Sequence, residues 1–201
     1  MIDQDSALDA YKHAQKLAKG AYMSRVSQGR NGYLPSLDGL IRNTEIASEV
    51  NIGTVEVPIS KIKGTLSHSR ASAFAHNFMP LPPADSEFGH KWQNLYAAHI
   101  REGIRDSVVA YEYLNWFYIK EGNKRTSILK YADAVSITAE VRRLIPRRDE
   151  DDLINNLYFK FLEFYRETGI CSVWFTIEGS FRRFLDYMNR YDAVKLFNVT
   201  K

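Results

Sequence analysis

The sequence predicts an α/β (α+β) fold: a small mixed β-sheet with helices packed on it and further helices added at both ends. Three observations predict it. First, β-rich runs alternate with helical apolar stripes through the middle of the chain. Second, two aromatic and β-branched runs, 108–113 and 116–119, are separated only by Leu114 and Asn115, which is the mark of a hairpin. Third, the second run breaks at Gly122 and passes into a helical pattern carrying Ile128, Leu129 and Ala132, giving strand, glycine turn and helix in succession.

Taken in order, residues 6–28 form a helix, because Leu8, Tyr11, Ala14, Ala18, Tyr22 and Val26 recur along one stripe. Lys12, Lys16, Lys19 and Arg25 fall largely outside that stripe, as a solvated face or a basic face for a partner. Gly29 and Gly32 end the helix, and 33–43 reads as a connection with a short helix after Pro35. Residues 50–62 make a β-rich run interrupted by Gly53 and Pro58, the expected first strand. A long loop over 63–83 follows, holding Ser69, Arg70, Ser72, His76 and Asn77. Ser86 caps a helix through Phe88, Trp92, Leu95, Tyr96 and His99, with Lys91 and Asn94 off its apolar face and Gly103 closing it. After the hairpin and the helix behind Gly122, residues 135–145 read as another strand.

Pro146, Arg147, Arg148 and the acidic run 149–152 mark a change of composition. Beyond it come an apolar helix stopped by Gly169, a short strand or buried link at 173–175, and a helix over 179–191 carrying Phe181, Phe184, Leu185 and Met188. The expected organisation is an N-terminal helical extension over 1–48, a core over 49–147, and an aromatic-rich helical segment over 148–201 packed on that core. The aromatic helices also suit a homodimer or a partner domain.

Hydrophobic residues make up 45% of the 201 and charged residues 25%, which places the chain among globular rather than disordered proteins. A formal charge of +3 permits nucleotides or nucleic acid as partners without arguing for a broad duplex-binding surface. The single Cys171 excludes an internal disulfide, and no cysteine and histidine cluster has zinc spacing. No apolar signal segment or membrane-spanning run is visible, so a cytoplasmic protein without a membrane partner is expected.

The stretch 116–131 holds the candidate chemistry. A helix beginning after Gly122 presents unpaired N–H groups, and Asn123 is placed to cap it. Lys124 and Arg125 in a first turn oppose the helix dipole, a conflict that a phosphate or carboxylate between them relieves. A solvent-facing turn whose cations pair with Glu121 or Asp133 is the alternative. Arg70, among hydroxyls in the long loop, is a second candidate anion contact.

The order of elements from Val55 to Leu144 resembles the ParB N-terminal domain and sulfiredoxin superfamily. Val57-Pro58-Ile59-Ser60-Lys61-Ile62 resembles its opening strand, Lys91-Trp92-Gln93-Asn94-Leu95 its lysine-containing helix, and Gly122-Asn123-Lys124-Arg125 its phosphate-binding signature. The resemblance implies a nucleoside di- or triphosphate (ATP, ADP or CTP) with Mg2+. Arg70, Lys91, Asn94, Gly122, Asn123, Lys124, Arg125 and Thr126 are the implied binding residues. Asn123 stands where sulfiredoxins carry their nucleophilic cysteine, which excludes sulfinic acid reduction. The second arginine signature and helix-turn-helix of DNA-clamping ParB proteins are also missing.

Glu121 corresponds to the acidic residue of free serine kinases, which makes it the candidate catalytic base or magnesium ligand. The same segment is similar to part of the Fic motif, but Phe117 replaces the catalytic histidine and Lys124 a glycine. Phosphotransfer or nucleotide hydrolysis, a non-catalytic nucleotide-sensing module, and DNA binding or nuclease activity are the three functions carried forward. The last draws on Lys12 to Arg25 together with Arg142, Arg143, Arg147 and Arg148.

Overall fold

The computed structural model describes residues 4–190 and divides into two compact units between Ile145 and Pro146. The first unit carries helices α1 (Gln4–Val26), α2 (Leu37–Leu40), α3 (His68–Ala71), α4 (Glu87–Glu102) and α5 (Asn123–Tyr131). Its strands are β1 (Ile46–Pro58), β2 (Ile62–Thr65), β3 (Val108–Tyr113), β4 (Trp116–Glu121) and β5 (Ser136–Pro146), the last ending at the boundary. They form one mixed sheet in the order β1-β5-β3-β4-β2. β3 and β4 run antiparallel, whereas β3 with β5 and β2 with β4 are parallel.

Hairpin geometry follows from the two turn residues. Leu114 (φ 51°) and Asn115 (φ 63°) both take positive φ, as a two-residue turn matched to strand twist demands. Asn115 N–H donates to Glu112 Oε1 at 2.5 Å, and the same fully buried carboxylate accepts from Arg143 Nε on β5, its register partner. A buried ion pair thus joins the hairpin to the next strand.

One face of the sheet buries Val57, Phe74, Val108, Ala110, Ile119, Ile137 and Val141. Helix α1 lies against α4 through small residues, with Ala7, Tyr11, Ala14 and Ala18 buried, while Lys12, Lys16 and Lys19 face solvent. Val26, expected in the stripe, is 43% exposed, because the buried stripe follows the alanines instead. Tyr11 meets Trp92 edge-to-face at 5.3 Å, and Trp92 Nε1 donates to Ser127 Oγ at 3.0 Å, so α1, α4 and α5 are tied through one buried indole.

The segment expected as a loop over 63–83 is more ordered than its composition suggests. It holds the end of β2 and all of α3, with bridges Tyr33 to Ala75 and Phe74 to Pro80. Gly64 makes this possible: a Cβ there would lie 2.2 Å from the Pro35 carbonyl oxygen, so only glycine lets the two backbones approach. Buried Phe74, Phe78 and Met79 anchor the remainder.

The second unit holds α6 (Leu153–Thr168) and α7 (Ser180–Arg190). Asp152 caps α6 by accepting from the N–H groups of Ile154 and Asn155, and Gly169 (φ 69°) ends it. The two helices share a cluster of rings in which Phe164 of α6 packs against both Phe181 and Phe184 of α7. Residues 173–175 form a link rather than a strand, with Trp174 and Phe175 turned against Phe181. Among the described residues, no helix is long and apolar enough to cross a membrane.

Candidate anion-binding site

Strand β4 delivers the chain to Gly122, whose φ of 95° and ψ of 21° turn it into α5. A Cβ at this position would lie 2.5 Å from Val108 Cγ1, so glycine is required by conformation and by space. Gly122 is itself the N-cap, and no side chain caps the first turn. Asn123, expected as the cap, is instead the first helical residue, because the left-handed glycine already makes the turn.

This end of α5 opens into a cleft of about 360 Å3. Gly122, Asn123, Lys124 and Arg125 form one wall, and Ser69 and Arg70 of α3 approach from another. Phe74, Phe88 and Leu95 supply the apolar surface. Among the described residues no carboxylate lines the cleft, although it gathers Arg70, Lys124 and Arg125.

Each polar group has a definite state. Lys124 Nζ lies 4.2 Å from the centre of the Phe88 ring. Burial, followed by the charges of Lys91 and Arg70, holds its ammonium below the usual lysine range, with Glu87 opposing. Arg125 donates from one guanidinium nitrogen to the carbonyl oxygens of Asp106 (3.0 Å) and Ser107 (2.5 Å), which fixes its head beside Gly122. Asn123 is 7% exposed, and its buried Oδ1 has no hydrogen-bond partner among the described residues. A buried amide oxygen left unpaired is costly to the fold.

The structure therefore brings together Arg70, Gly122, Asn123, Lys124 and Arg125. Lys91 stays outside the lining, exposed and paired with Glu87 at 2.5 Å, although its charge reaches Lys124. Asn94 is exposed on α4 and does not line the cleft. Thr126 is fully buried, and its hydroxyl donates to the Gly122 carbonyl at 3.2 Å, so it serves the turn. Glu121 is exposed at the end of β4, opposite Val109, and also lies outside the lining.

Phe88 and Leu95 were legible only as helix-face residues; nothing in their spacing marks them as walls of a site. Among the described residues, no group of three or more His, Cys, Asp or Glu side chains is placed to hold a metal ion.

No family model matches the chain, and no curated protein matches it in sequence. Among solved structures, sulfiredoxin from Arabidopsis thaliana is similar, with a TM-score of 0.32 and 17% identity over 45% of this chain and 84% of that one.

Proposed function

We propose that the cleft at the start of α5 binds the phosphates of a nucleotide. The observation that carries this reading is the convergence of Arg70, Lys124 and Arg125 on a helix N-terminus without a side-chain cap, in a lining that among the described residues holds no carboxylate. The helix N–H groups and the three cations supply charge-assisted donors. Phe74, Phe88 and Leu95 beside them suit a ligand with a planar apolar portion, and the volume fits a mononucleotide.

Mg2+ enters this reading with the ligand, held by phosphate oxygens and water. The ion would supply further neutralisation of phosphate charge. With Glu121 outside the cleft, the arrangement favours binding over catalysis, and a nucleotide-sensing module is the form of the function it supports best.

A thermal-shift panel of ATP, ADP and CTP, each with and without Mg2+, tests the reading. A ligand held by the folded chain raises its melting temperature as concentration passes Kd. Failure of every nucleotide to shift the melting temperature contradicts it.

A further inference from the structure

Helix α5 ends in a second cleft, of about 660 Å3, at the end opposite the anion site. Its last two residues, Lys130 and Tyr131, line that cleft together with His13 of α1, Asp133 and the apolar side chains of Leu17 and Met79. Lys130 differs from Lys91 and Lys160, each of which is paired with a glutamate. Its Nζ donates to the Ile59 carbonyl at 3.1 Å and lies 5.3 Å from the centre of the buried Phe78 ring. Among the described residues, no carboxylate forms an ion pair with it.

We propose that this cleft is a covalent site in which the Lys130 amine condenses with a small aldehyde. The amine is held at a fixed position by Ile59 and Phe78 and opens on a space large enough for such a compound. Burial and the nearby charge of Lys63 on β2 push its ammonium down to about 8. About a tenth of it is then free amine at pH 7, against well under a hundredth for an ordinary lysine.

In the condensation, the nitrogen lone pair attacks the carbonyl carbon, and the nitrogen loses a proton as the carbonyl oxygen gains one. That oxygen takes a second proton and leaves as water, and the carbon–nitrogen double bond forms as the nitrogen gives up its other proton. No oxidant is needed. Tyr131 Oη and His13 Nδ1, 3.0 Å apart on the same cleft, form the pair that moves these protons: the hydroxyl donates to the departing oxygen and the imidazole resupplies it.

The test is reductive labelling of the whole chain with glyceraldehyde and cyanoborohydride at pH 7.5, followed by peptide mass mapping. Lys130 is expected to label at least ten times faster than Lys91 or Lys160, and Tyr131→Phe is expected to slow Lys130 severalfold while leaving Lys91 unchanged. A wild-type rate at Lys130 no greater than that at Lys91 overturns the site and requires no variant. A Tyr131→Phe protein that labels at the wild-type rate overturns the proton-transfer role.

Discussion

Lys124 places its ammonium 4.2 Å from the centre of the Phe88 ring, in a cleft whose other charged groups are also cations. Burial and the charges of Lys91 and Arg70 make that ammonium easier to deprotonate than usual. An arriving phosphate reverses both effects of charge. In alkaline buffer, nucleotide binding is therefore expected to take up protons, and calorimetric heats should depend on the ionisation enthalpy of the buffer. Buffer-independent heats across the alkaline range would remove Lys124 from contact with the ligand.

Gly122 is fixed by its φ of 95° and by Val108, whose Cγ1 would lie 2.5 Å from an added Cβ. Gly122→Ala is expected to cost about 2–4 kcal/mol of stability, combining left-handed strain with overpacking. Adding Val108→Ala relieves the contact but not the strain. Measured by urea unfolding, the double variant should show a cost smaller than the sum of the two single changes.

Glu112 and Arg143 form a buried pair across β3 and β5. Glu112→Ala removes the carboxylate that accepts from Arg143 Nε and from the Asn115 N–H of the hairpin turn, for an expected loss of about 3–5 kcal/mol. Replacing both partners with apolar residues, Glu112→Leu with Arg143→Met, is expected to cost less than Glu112→Ala alone. Denaturant titration of the three proteins distinguishes these outcomes.

The sequence carried the hairpin and the α5 turn because each is set locally. Leu114 and Asn115 leave room for only one kind of connection, and Gly122 followed by a helical stripe has one simple reading. Ser86 was equally legible as a cap, and its Oγ does accept from Gly89 N–H. β2 was hidden because its four residues include Gly64 and Lys63, and its strand character comes from pairing with β4, where Gly64 lies opposite Tyr118. The tethering of Arg125 to the carbonyls of Asp106 and Ser107 could not be read either, since it depends on how the start of β3 meets α5. Lys91 and Lys124 look alike in sequence; only the fold separates an exposed lysine paired with Glu87 from a desolvated one facing a cleft.

Lys130 should leave a signature in the pH dependence of stability. Its folded value of about 8 lies below the ordinary lysine value. Between those two values the unfolded chain binds more protons than the folded one, so this group's contribution makes stability rise with pH. Comparing wild type with Lys130→Met cancels the other titrating groups. The difference is expected to move in favour of wild type by about 1–2 kcal/mol between about pH 8 and about pH 10, after allowance for partial solvent screening. A difference that stays flat contradicts the desolvated state of this lysine.

The central claim is that the cleft at Gly122 to Arg125 holds nucleotide phosphates. It is tested most directly by isothermal titration of ATP, ADP and CTP into wild type, Lys124→Ala and Lys16→Ala, the last an exposed α1 lysine away from the cleft. The expected result is saturable binding of at least one nucleotide, weakened about tenfold or more by Lys124→Ala, the scale of one charge-assisted contact, and unchanged by Lys16→Ala. Equal affinity in wild type and Lys124→Ala, or no binding to wild type by any of the three, would contradict it.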